Sequence, residues 1–286
     1  MSLTFVSKAR VIGTGRIFFA IGLIGIGGQH FFFRQFVPTV VPLWPAWIPG
    51  RLFWVYLVGT ILIVGGASIL SGVKARTSAT LLGGLFLLSL ILLHIPGNLM
   101  AGVTSWIGWA GAFEAFSIAG CALVVAGTFP QPEAGSRPGT PSPGTPMRWL
   151  DKMIPFGMYP FAILVIVYGI DHFIDLLFVS SLVPAWIPGH IFWTYFAGAA
   201  LIASGLGMIF RVQARLAATL LGAMIFTWVL ILHIPRAVAD PYSGVGGEWS
   251  SVFVALAESG VAFILGETLL QRRGPAIKAA KNPVAK

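Results

Sequence analysis

Charge is what this chain has least of. Only 9% of its 286 residues are charged, and acidic residues number nine against 18 lysines and arginines. A soluble domain carries about a quarter of its residues as charges. With 57% hydrophobic residues and a mean hydropathy of +0.88, a soluble globular fold is excluded and the sequence reads as a polytopic membrane protein. Cysteine is nearly missing as well. Cys121 stands alone in an apolar stretch, so no intrachain disulfide, CxxC pair or cysteine-based zinc site can form, and thiol–disulfide chemistry of the chain's own is excluded. Alternating apolar and polar positions are also missing from the hydrophobic runs, which excludes transmembrane strands.

What is present is long apolar segments. A helix needs about 20 apolar residues to cross a bilayer, and eight stretches qualify: Val11 to Phe33, Ile48 to Leu70, Thr77 to Ile95, Trp106 to Phe129, Pro155 to Phe178, Ile187 to Phe210, Leu216 to Ile234 and Ser250 to Leu270. The first has basic residues before it but no small-x-small cleavage site before Arg34, and is read as a retained helix. Lysine and arginine divide 15 to 3 between the two sets of connections, with only Arg34, Arg51 and Arg236 on the minority side. The expectation is therefore a bacterial inner (cytoplasmic) membrane protein with both termini cytoplasmic. The net charge of +9 then marks orientation beside anionic lipid, and nothing supports a nucleic-acid partner.

The chain also contains itself twice. Ala46 to Gly59 (AWIPGRLFWVYLVG) and Ala185 to Gly198 (AWIPGHIFWTYFAG) share nine of fourteen positions at an offset of 139. Lys74 to Pro96 and Gln213 to Pro235 share eleven of twenty-three at the same offset. So long a period makes each copy a helical bundle rather than a solenoid repeat. Four spans per half is an even number, so both halves enter the membrane in the same direction. The expected fold is an all-α membrane protein, eight transmembrane helices as two tandem, same-orientation four-helix bundles. Its parts are residues 1–129 (first half), 130–150 (a Pro/Gly-rich cytoplasmic linker), 151–271 (second half) and 272–286 (a basic cytoplasmic tail).

The polar residues that interrupt the apolar runs gather on the extracytoplasmic side. His30 and His172 lie near the outer ends of the first and fifth spans, and His94 and His233 close the third and seventh, just before Pro96 and Pro235. Glu114 and Glu258 lie inside the fourth and eighth spans, one per half, at what reads as the corresponding point. An intramembrane carboxylate costs roughly 2.5 to 3.5 kcal/mol on insertion scales, so it needs a partner or a wet cavity. The plain role is a polar clasp of Glu114 to Arg34 or His30; the functional one is a proton, ion or ligand site. Half two adds Asp171 and Asp175 around His172, two carboxylates at i and i+4. His-plus-carboxylate zinc or iron binding and bis-histidine haem ligation are disfavoured, because no compact ligand motif accompanies the spacing. Trp47 and Trp186 suit an aromatic belt, and Pro49 and Pro188 a helix start, with the next glycine permitting a tight approach.

Read together, His172–Phe173, Val183 to Gly189 (VPAWIPG), Phe192 to Tyr195, Gly198, Ala214–Arg215, Ala218 to Gly222 and Leu232 to Pro235 (LHIP), with a close copy in half one, resemble the DoxX family of bacterial membrane proteins. The resemblance covers almost all of both halves. It implies a four-helix membrane bundle and, from relatives that are subunits of terminal oxidase and thiosulfate:quinone oxidoreductase systems, an accessory or quinone-interacting role beside other membrane redox subunits. Here two bundles are fused, and Pro42, Leu43 and Trp44 lengthen the first outer loop. On this reading His94 or His233 donates to a quinone carbonyl, Glu114 or Glu258 handles the proton, and aromatic grooves take the prenyl tail. The alternative is a transporter or small-molecule-binding protein using the cavity between the halves. No catalytic set is assigned.

Overall fold

The computed structural model describes residues 3–42, 44–105, 107–130 and 148–269. The linker between 131 and 147, the tail from 270, and Leu43 and Trp106 lie outside the described residues. Among the described residues every regular element is helical, as continuous apolar sequence requires when no water is at hand to satisfy the backbone.

Eight helices carry the architecture: α1 (Leu3–Phe33), α2 (Arg51–Ser71), α3 (Ala75–Met100), α4 (Ala110–Gly127), α5 (Met158–Ile174), α6 (His190–Ile209), α7 (Ala214–Ala239) and α8 (Gly247–Thr268). Seven are long and apolar enough to cross a membrane, and α5 makes an eighth span if the bent pair Trp149–Phe156 and Met158–Ile174, meeting at 46°, is counted as one. The unbroken span expected over Pro155 to Phe178 is thus in pieces. Its C-terminal end stops at Asp175, where φ −105° and ψ 41° leave the helix before the short helix Leu176–Leu182 begins.

Two local devices recur in both halves. Gly50 (φ 71°) and Gly189 (φ 75°) sit just before α2 and α6. The glycine of Trp-Ile-Pro-Gly is needed for that left-handed turn and not for close approach, since a Cβ on Gly50 would meet nothing within 4 Å. The second device lies in α3 and α7, which do not end at the histidine before the proline. They widen into a π-helical turn, Leu90–His94 and Val229–His233, and run on as Ile95–Met100 and Ile234–Ala239. Proline has no N–H to give to an α-helical ladder, and the wider turn accommodates it without ending the axis.

Helix packing then places the polar residues. In half one α1 lies antiparallel to α2, with a Cβ on Gly59 falling 2.9 Å from the Gly27 carbonyl; in half two a Cβ on Gly198 would fall 3.0 Å from the Gly169 carbonyl. The α1–α2 face therefore recurs between α5 and α6. The most extensive partner of α1 is nevertheless α8, and α5 packs on α4. Gly15 meets Gly260 at the first crossing, as Gly157 meets Gly120 at the second. Each half thus lays its first helix against the last helix of the other, where a self-contained bundle would close on itself. Helices α4 and α8 form the centre, with 67% and 72% of their spanning windows buried against 28–39% for the other five single-helix spans.

Candidate functional site

Two carboxylates meet hydroxyl donors where α4 and α8 touch. Glu114, in the second turn of α4, accepts from the Tyr168 hydroxyl of α5 at 2.5 Å and from the Thr39 hydroxyl at 2.6 Å. Thr39 comes from the connection after α1, whose Phe36, Val37, Val40 and Val41 are buried. The Ser89 hydroxyl of α3 donates to the Val40 carbonyl and pins that segment in place. Three residues along α4, on the same face as Glu114, Ser117 donates to Glu258 of α8 at 2.8 Å. Glu258 is buried, 5% exposed, and lies within electrostatic reach of Glu114. Cys121, one further turn on, has its sulfur 3.9 Å from the Ser117 hydroxyl.

No cation bonds to either glutamate among the described residues. The three ion pairs found there, Arg76–Asp151, Arg215–Glu267 and Arg236–Glu248, lie elsewhere. The expected clasp of Glu114 to Arg34 or His30 is therefore replaced by two hydroxyls, one from each half of the chain. His30 spends both ring nitrogens locally, on the Ile26 carbonyl at 2.8 Å and the Val37 N–H at 3.5 Å.

The glutamates are also not in corresponding positions. Arg76 reaches the carbonyl of Ala126 and Arg215 that of Gly266, while Gly120 and Gly260 make the equivalent crossings. Those pairs fix an offset of 140 between α4 and α8, which aligns Trp109 with Trp249, Glu114 with Val254 and Ile118 with Glu258. The two carboxylates are one helical turn apart in register, so the pair is asymmetric.

The histidines divide between these surroundings. His94 is 1% exposed and lies against the backbone of Thr39 and Val40, close to Gly111 on the Glu114 face of α4. His233 is only half-buried and sits beside Arg236 and Glu248 instead of Glu258. Arg236 grips Glu248 with two bonds, at 3.0 and 2.5 Å. His172 bonds the Tyr168 carbonyl at 2.7 Å and stacks on Trp228. Asp171 lies three residues after Tyr168 on α5, whereas Asp175 serves as the break between α5 and the next short helix. Trp47 and Trp186 are 82% and 72% exposed, placed outside the cluster. No group of three His, Cys, Asp or Glu able to hold a metal occurs among the described residues.

On the α1–α8 contact an open-sided groove of about 370 Å³ is walled by Phe32, Phe33, Tyr242, Trp249 and Phe253. Gly28 forms its floor, with nothing within 4 Å of where a Cβ would be. At the equivalent contact of α5 the residues answering to Gly25 and Gly28 are Val167 and Ile170, which take up that space. Sequence reading missed Thr39, Ser117 and Tyr168; the available signal was a hydroxyl with no evident use in or beside an apolar run. No family model, curated protein or solved structure matches this chain.

Proposed function

We propose that this chain is a quinone-interacting accessory protein of a bacterial membrane redox system, a tandem DoxX-like protein whose seam carboxylates exchange a proton. The observation that carries the reading is Glu114 and Glu258, close together in spanning helices and bonded only to hydroxyls. Two such anions repel, and a proton held by the pair removes the repulsion while Tyr168, Thr39 and Ser117 serve either state. The aromatic groove supports a lipid-soluble partner, since its volume falls in the range of about 300 to 1,000 Å³ typical of small-molecule sites. Phe253 on the groove wall is five residues from Glu258, about 7.5 Å along α8 and about 140° around it, facing α1 where Glu258 faces α4. The orientation we infer is two parallel-entering halves in the inner membrane with cytoplasmic termini. Its support is the charge split and the antiparallel pairs α1–α2, α3–α4, α4–α5, α5–α6, α7–α8 and α8–α1. The seam between halves also favours a second reading, proton-coupled transport, because repeat-built transporters place their sites there.

Mass spectrometry of small molecules retained by the purified protein in mild detergent tests the proposal. A quinone is expected in the wild type, falling roughly tenfold in Glu258→Gln with melting nearly unchanged, as for a group used in binding and proton exchange. Equal retention together with a loss of about 1.5 to 3 kcal/mol of stability would make the carboxylate a structural clasp. Absence of quinone with proton-driven solute flux in vesicles would favour the transporter.

A further inference from the structure

The π-turn that carries His94 places its ring inside the bundle with a nitrogen left over. His94 is 1% exposed, yet its Nε2 has no hydrogen-bond partner among the described residues. A buried ring nitrogen is costly to leave unpaired, and waters occupy polar cavities for that reason. Gly111 borders the ring at its Cε1–Nδ1 edge, where a Cβ would stand 3.7 Å from Cε1 and 3.8 Å from Nδ1, and the residue answering to Gly111 in α8 is Ser251. Two routes lead from the ring to the seam. Gly111 is three residues before Glu114, hence one turn away on the same face of α4. Thr39 touches the ring with its backbone and Glu114 with its hydroxyl.

We propose that His94 is the proton relay between the extracytoplasmic surface and Glu114, holding a water on Nε2, and that half two has no counterpart. This rests on the proton-exchange reading above. In one direction an N–H bond forms on Nε2 as an O–H bond of protonated water breaks, giving imidazolium. That N–H then breaks as an O–H forms on the Glu114 carboxylate through the held water, so one proton moves and the imidazole is restored. Three of the other four histidines are committed differently. Both nitrogens of His30 are bonded, Nδ1 of His172 is bonded with its ring on Trp228, and His233 stands beside the Arg236–Glu248 pair. Along α4 the titratable group next to Gly111 is Glu114, bonded to Tyr168 of α5 and in electrostatic reach of Glu258 of α8.

The test is infrared spectroscopy of the full chain in lipid nanodiscs on transfer to heavy water, following the protonated-carboxyl band assigned by its loss in Glu114→Gln or Glu258→Gln. His94→Phe removes the nitrogen, and Gly111→Val crowds the Cε1–Nδ1 edge of the ring while keeping the histidine. Each is expected to slow exchange of the band roughly tenfold or more, the scale of a positioned proton-transfer group, while melting identifies the folded variants. His233→Phe should leave the rate unchanged. Unaltered exchange in folded His94→Phe and Gly111→Val overturns the relay and leaves the quinone test of Glu258→Gln standing. No protonated-carboxyl band in the wild type overturns both.

Discussion

The two halves share their helix packing and differ in the caps that follow their first helices. In both, the first helix of the half crosses the second glycine to glycine, with a Cβ on Gly59 or Gly198 clashing against the same atoms of the repeat. Above that shared frame, half one tucks Phe36 to Val41 into the bundle and bonds Thr39 to Glu114. Half two instead has the short helix Leu176–Leu182 lying outside, with Leu177 82% and Phe178 63% exposed. The residue answering to Ser89 is Trp228; the serine holds the buried segment, and the indole fills the equivalent space and stacks with His172. Duplication has kept the membrane packing and let the caps diverge, so the chemistry of the seam is asymmetric although its frame is not.

The frame should be the most sensitive part. Gly260→Val would press a side chain against the Gly15 carbonyl, and Gly120→Val against that of Gly157, each 2.5 Å from where the Cβ falls. Overpacking against backbone costs about 3 kcal/mol or more where nothing can yield. Both variants are expected to lose folded protein by size-exclusion chromatography and thermal melting, with Gly13→Ala unaffected. Tolerance of one and not the other would break the equivalence of the two crossings. The caps come next. Thr39→Val deprives the half-buried Glu114 carboxylate of a donor and should lower stability by about 1 to 3 kcal/mol. Ser181→Ala, in the exposed cap, should change it by no more than about 0.5 kcal/mol; equal effects on melting would erase the distinction between a buried and an exposed cap. The smallest difference is expected at the paired arginines. Arg76, 11% exposed, bonds two carbonyls and Asp151, whereas Arg215, 47% exposed, bonds one carbonyl and Glu267. Lysine lacks the planar fork, so Arg76→Lys should cost about 1 kcal/mol by thermal melting and Arg215→Lys less than about 0.5.

Much of this was legible in the sequence. Hydropathy located the helices, and the intramembrane carboxylates marked the seam through the cost of burying them. The exchange of α1 and α5 between halves was not legible for a physical reason: in a duplicated chain the face that α1 offers fits either last helix, so the sequence does not distinguish closure on α4 from closure on α8. The register of the glutamates was hidden because the offset drifts from 142 between His30 and His172 to 139 in the second and third helices and 140 in the fourth. The drift follows loop insertions, and only contacts such as Arg76 to Ala126 and Arg215 to Gly266 resolve it. The π-turns left no sign, since Leu-His-Ile-Pro fits an ended helix equally well. Thr39 could not be joined to Glu114 from sequence, because the bond spans 75 residues across a loop whose burial no periodicity announces.

The contact of α1 with α8 sets a clock on biogenesis. Gln29 and the Gly246 carbonyl it bonds are 217 residues apart, so α1 finds its main partner only when α8 is made. At synthesis rates of roughly 5 to 20 residues per second that interval is about 10 to 40 s. For that time the glycine face of α1, from Gly15 to Gly28, is covered by lipid or by an attending insertion factor, and half one is held open by α2 alone. A ribosome stalled before α8 would therefore leave seven helices in the membrane and an incomplete seam, in which Ser117 has no glutamate to bond and the centre of the protein is exposed to lipid.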